Sequence, residues 1–461
     1  MKKILNLSLL FVLLLVILSS CRDEIFYKNE DAKLNFSKDT VLFDTVFTTI
    51  GSVTKRFLVF NQYEKSLKIS SIRLAGGKNS AFRMNVDGEP LTEVKDYSLL
   101  PNDSMYIFVD VTIDPNTANL PFIVKDSIEF VTNGNKQYVK LMAWGQNAHF
   151  IHDSMLACNS VWTNDLPYVI SNHVGIDVNC NLTIEPGVKI YSDVGSAMLV
   201  WGTLDIKGDT NNRVEFSGIR QDAYYKNIPG QWFGIYFLRN SKNNYIKNAV
   251  IRNAVFGVRV DSLPINANPN LILENVRMEN MSVAGILGFT AHITAYNCII
   301  NNSCQYLAAC DYGGIYKFYH CTFIHETCRC SSKYPALVFY NTDNKTYPYP
   351  LKLTIANSIV YGPKDEEMDI KKTGTDSVIV SISNSLLKTK ISGLNINGNI
   401  LNKSPRFKGD CKYNYEPDSA SVFIDKGNPD LLLSFPLLQY DINGKKRESS
   451  LPDMGAIERL K

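Results

Sequence analysis

Four short strings decide how this sequence folds: Asn248–Asn253 (NAVIRN), Asn275–Asn280 (NVRMEN), Asn297–Asn302 (NCIINN) and His320–His325 (HCTFIH). Two looser strings, NSIVYG from Asn357 and NSLLKT from Asn384, extend the series, and the starts are separated by 27, 22, 23, 37 and 27 residues. The second column is small throughout (Ala249, Val276, Cys298, Cys321, Ser358, Ser385), and the fourth is apolar throughout (Ile251, Met278, Ile300, Phe323, Val360, Leu387). A strand alternates its side chains with period two, so these two columns point inward and the mixed third and fifth columns point outward. Like residues stacked at a period of 20–50 residues describe coils of a solenoid, with insertions accounting for the uneven spacing.

The segments before the repeat agree. Asn181–Tyr191 (NLTIEPGVKIY), with Pro186-Gly187 at a type II turn, Met198–Gly208 (MLVWGTLDIKG) and Pro229–Phe237 (PGQWFGIYF) resemble, in this order, the opening coils of right-handed parallel β-helix proteins. The resemblance implies an all-β, pectate-lyase-like solenoid over residues 148–400. Ser421–Pro429 (SVFIDKGNP), Asp441–Arg447 (DINGKKR) and Pro452–Glu458 (PDMGAIE) resemble the closing segment of exported β-helix proteins, so 401–461 is expected to cap the last coil. Asp425, Asp441, Asp453 and Glu458 are expected to pair with Arg447 and hold turns over that open edge.

Residues 33–147 have a different texture. Strand-like runs such as Leu67–Leu74 (LKISSIRL) and Met105–Ile113 (MYIFVDVTI) are separated by turn residues, and Asn133-Gly134 between two runs is a hairpin signal. This segment resembles the hydin-type immunoglobulin-like domains and is expected to form a β-sandwich.

The first 21 residues open with Lys2 and Lys3, run apolar from Ile4 to Leu18 and close on Leu-Ser-Ser-Cys. That is the pattern of an export signal. Its end resembles the lipobox of bacterial lipoproteins, which implies that Cys21 is lipidated and attaches the mature chain to a membrane, residues 22–32 serving as linker. The acidic Asp23-Glu24 after Arg22 resembles the stretch that sends some Gram-negative lipoproteins across the outer membrane to the cell surface. A net charge of +3 from 48 basic and 45 acidic residues falls further when Lys2 and Lys3 are removed, which leaves no electrostatic case for nucleic acid.

The stretch HCTFIHETCRC (320–330) invites a metal reading, but the repeat assigns Cys321 to the core and places His320 and His325 where other coils carry Asn. No Cys-x-x-Cys is present, so no metal or cofactor is expected. Cys298 and Cys321 are read as stacked buried thiols, with disulfides among Cys304, Cys310, Cys328 and Cys330. The Asn columns are read as turn residues. Glu279 is the sole carboxylate in the outward columns, and Asp222, Asp261, Asp311 and Asp343 lie in insertions. A calcium-holding stack or a facing acid pair is therefore not visible. Aromatic residues in the insertions, Tyr224, Tyr225, Trp232, Tyr312, Tyr347 and Tyr349, are the candidate glycan contacts. The expected function is non-catalytic glycan or matrix binding by a lipid-anchored surface protein, with a polysaccharide as ligand. The alternatives are a lyase or hydrolase sited in the insertions, and an architectural envelope protein.

Overall fold

The computed structural model describes residues 25–116, 121–261, 268–326, 330, 332–342, 349–373, 378–409 and 413–459. Cys21 and Tyr347, together with Cys328 and Asp343, lie outside the described residues. The chain divides into two compact units after Asn147. Among the described residues no helix is long and apolar enough to cross a membrane.

The first unit is a sandwich of two five-stranded sheets. Its pairings are antiparallel apart from Thr40–Phe47, which runs parallel to Asn135–Gln146. The hairpin joining Phe122–Thr132 to Asn135–Gln146 turns through Asn133 at φ 47° and Gly134 at φ 84°. Two successive positive φ values give the hairpin twist that Asn-Gly accommodates. Phe43, Phe57, Phe82 and Phe130 fill the space between the sheets. This architecture is consistent with an immunoglobulin-like domain.

The second unit is a parallel β-helix whose twenty-five strands form one continuous sheet. Successive coils stack in three faces. The first contains Ala197–Val200, Gly234–Phe237, Phe256–Val260, Leu337–Tyr340 and Met368–Lys371, and the second contains Thr203–Lys207, Asn244–Lys247, Leu271–Glu274, Leu351–Ala356 and Val378–Ser383. Two long strands, Ala284–Tyr296 and Tyr306–Tyr319, turn the corner and serve both of these faces. The third face is built from the repeated strings. Its register runs Ile251, Met278, Ile300, Phe323, Val360 and Leu387, one residue directly above the next. Each uneven interval between strings is therefore one coil, and all six side chains are fully buried.

The corner before the third face explains the Asn column. Asn248, Asn275, Asn297, His320, Asn357 and Asn384 all have φ between 43° and 56°. Asn reaches this left-handed conformation at low cost, and its amide can bond neighbouring backbone, so one residue makes the whole turn. His320 follows the same geometry.

The C-terminal segment departs from expectation. Among the described residues, its closing segments pack along the outside of the third face. Ile299, Ile324, Ile359 and Leu386 point outward yet are buried, because Tyr415, Phe423, Ile442, Met454 and Ala456 pack over them. Ile391 and Leu394, before the expected cap, instead pack against the solenoid core beside Leu401. Of the four acids expected to pair with Arg447, only Glu458 does so among the described residues, and it does so on this flank. Arg447 and Glu458 pair at 3.1 Å with side-chain exposures of 0% and 4%. Asp441 accepts from the Lys445 and Glu458 amides, and Asp453 from those of Asp425 and Arg459. Arg447 also donates to Asn297 Oδ1 at 2.9 Å and to the Gly455 carbonyl at 2.9 Å, tying the strap to the Asn corner. Gly455 has φ 88°, and a Cβ there would lie 2.7 Å from Ile359 Cδ1. Glycine is thus required by both conformation and close approach.

Candidate functional site

The described residues of the cysteine–histidine stretch pack into the solenoid wall. Cys298 and Cys321 are buried thiols whose Sγ–H groups donate to the Tyr296 and Tyr319 carbonyls. Burial, and then their mutual contact, push the Cys298 thiol well above its ordinary value, which keeps it protonated. Cys310 is also a buried free thiol. Cys304 bonds to Cys330, and Cys158 bonds to Cys180, a pair the sequence reading did not include. The separations of 26 and 22 residues are each close to one coil, so both bonds staple neighbouring coils. His320 accepts from Asn357 Nδ2 at 2.8 Å on Nε2 and donates from Nδ1 to the Gly455 carbonyl at 3.3 Å. Burial, and then the Arg447 charge, hold its pKa well below the usual value. Among the described residues no three His, Cys, Asp or Glu side chains converge as a metal site would require.

The predicted aromatic contacts fall into three groups. Tyr224 is 74% exposed and meets Tyr225 edge-on at 5.0 Å, in a loop between the third face and the first. That loop is held by Arg220, which lies 3.6 Å from the Tyr225 ring and bonds Asp222 at 2.9 Å. Trp232 is a correction. It is 1% exposed, faces Phe216 across the core, and its indole N–H donates to the Arg252 carbonyl at 2.9 Å. A ring with its edge and both faces occupied by protein cannot stack on a sugar. Tyr312 and Tyr349 do come together, edge-to-face at 6.2 Å, at the corner between the first and second faces. Tyr316 and Tyr319, on the same strand as Tyr312, are buried.

Tyr312 and Tyr349 belong to a longer array that the insertions alone did not reveal. The outward register of the first face runs Gly175, Leu199, Tyr236, Arg259, Leu287, Ala309, Val338 and Asp369. Arg259 lies 4.6 Å from the Tyr236 ring and 5.1 Å from Phe289, and Phe289 meets Tyr312 at 6.0 Å. The array thus passes from Tyr236 to Tyr349 through contacts on successive coils, with its members half-buried and Tyr349 40% exposed. Aligning the first-face strings GIYF and FGVRV as the third-face strings were aligned puts Tyr236 and Arg259 in one outward column.

The carboxylates here are engaged. Asp261 receives Arg259 Nη2 at 2.6 Å and the Tyr236 hydroxyl. The hydrogen bond to Asp261 raises the Arg259 pKa, and partial burial followed by the same carboxylate raises that of Tyr236. Asp369 accepts the Tyr340 hydroxyl at 2.5 Å and lies 4.0 Å from Lys371. Asp311 accepts the Tyr312 amide at 2.9 Å. In the register Phe289 stands beside Asp311, on the coil that follows Asp261, so an aromatic ring rather than an open groove lies between these two acids. Glu279 is on the third face, 3.8 Å from Arg252. The arrangement offers flat apolar faces edged by hydrogen-bonding groups, which suits binding better than proton transfer.

No protein-family model matches the sequence, and no curated protein matches it. Among solved structures, 29% of this chain is similar to 30% of a family 123 glycoside hydrolase from Clostridium perfringens, at 8% identity and a TM-score of 0.19. A second match covers 25% of this chain and 31% of the Pseudomonas fluorescens alkylpurine DNA glycosylase AlkC bound to DNA, at 11% identity and a TM-score of 0.17. The chain spans less than a third of each of these proteins, and at such scores neither likeness carries an argument.

Proposed function

We propose that this protein is an exported lipoprotein, held to the outer membrane through Cys21, that presents its β-helix at the cell surface to bind glycan without catalysis. The lipobox-like Leu-Ser-Ser-Cys supports the anchor, and the sandwich serves as a module between lipid and solenoid. The observation that carries the binding role is the run of Tyr236, Phe289, Tyr312 and Tyr349 with Arg259 along one corner. Aromatic rings with one face open supply apolar area while neighbouring polar groups fix orientation.

The test is retention on a broad array of plant, host and microbial polysaccharides. The protein is expected to bind at least one, and Tyr312→Ala combined with Tyr349→Ala to weaken that binding by roughly tenfold or more, about 1.4 kcal/mol. No retention on any polysaccharide sinks the reading. New reducing or unsaturated ends released from a retained polysaccharide would replace binding with lyase or hydrolase activity.

A further inference from the structure

We propose that the outward ladder of the first face takes one linear, electrically neutral polysaccharide chain, laid along the solenoid axis with one end in a cavity beside Trp201. This rests on the glycan-binding reading and adds the class of glycan and its course. Continuity is the first argument. A cavity of about 270 Å³ is lined by Asp153, Met155, His173, Gly175, Leu199 and Trp201, and Leu199 is the register neighbour of Tyr236. The cavity therefore opens onto the array already described. Its floor is shaped by Gly175, where the Met155 sulfur occupies the space a Cβ would take. From Leu199 to Val338 the ladder crosses five coil steps, about 24 Å at ~4.8 Å per step. A repeating polymer matches a repeating surface of that length better than a compact ligand does.

Charge is the second argument. Among the described residues, the ladder's permanent cations each face a carboxylate of the same ladder, Arg259 with Asp261 at 2.6 Å and Lys371 with Asp369 at 4.0 Å, and His173 lies 3.8 Å from Asp153. Asp311 adds a further carboxylate beside Tyr312. A polyuronate or sulfated chain would meet these acids and would have to break the pairs to reach a cation. A polyanion site instead gathers cations that lack carboxylate partners. Neutral sugars need neither, since their hydroxyls can bond the paired groups from the edge while their apolar faces lie on Tyr236, Phe289 and Tyr312.

The experiment measures affinity of the full chain for neutral chains (mannan, xylan, β-glucan, starch) and anionic ones (polygalacturonate, alginate, heparin) at low and high salt. The expected result is binding to a neutral chain that changes by less than about twofold with salt. Tyr236→Ala and Trp201→Ala should each weaken it roughly tenfold. Binding confined to anionic chains and abolished by salt overturns the neutral class while leaving the glycan reading in place. Neutral binding indifferent to both substitutions overturns the ladder as its course. Retention of neither class removes the glycan reading itself.

Discussion

At the scale of single residues, polar side chains buried at the corners of the third face are met by partners. Asn297, His320 and Asn357 are fully buried, and each makes hydrogen bonds into the C-terminal strap. His292 is different. It is 4% exposed, and neither ring nitrogen has a partner among the described residues. Burial, and then the Lys317 charge, depress its pKa to about 4. Below the unfolded value of about 6.5, the unfolded chain gains a proton that the folded chain refuses, so stability falls as pH drops from there towards 4. His292→Leu is expected to remove this component, on the order of 2 kcal/mol at pH 4. Melting temperatures of both proteins across pH 7 to 4 would show the curves diverging as pH falls; parallel curves would contradict the assignment.

At the scale of elements, the third face was the most legible part of the sequence. Its inward columns are monotonous, and period-two alternation fixes which side chains stack. The residue type at each corner also follows from conformation, since a single left-handed position selects Asn. The strap was misplaced because a capping role was inferred from the tail alone. Ile299, Ile359 and Leu386 stand at outward positions of the third column, and three aliphatic side chains facing water were the available sign that something covers that face. Trp232 misled for a related reason. In an insertion a ring can face either way, and only its stacking over Phe216 and its bond to the Arg252 carbonyl show which. These packing relations give an element-scale prediction. Ile359→Asp buries a charge beneath Met454 and Phe423 and should lower stability by at least about 3 kcal/mol, despite its outward position. Limited proteolysis should then cut within 403–459 before it cuts the coils. A strap as resistant as in the parent protein would mean that it does not depend on this face.

At the scale of the whole molecule, the tail, the corners and the coils divide the surface unequally. The third face is taken up by the strap and the far end of the second by the helix Asp430–Ser434, whose Leu432 packs with Leu438 and Tyr319. The outward ladder of the first face keeps half-exposed aromatic and paired charged groups over successive coils. That division was only partly readable in the sequence: the repeat specifies the scaffold, whereas which face stays open depends on where the non-repeating tail lies. The most direct test of a glycan surface on the first face is hydrogen–deuterium exchange of the full chain with and without whichever polysaccharide it retains. The account predicts slowed exchange in peptides covering 197–201, 234–238, 256–261, 284–290 and 306–313, with the sandwich and the 219–230 loop unchanged. Protection confined to the 219–230 loop or to the sandwich, with the first face unaffected, would contradict it.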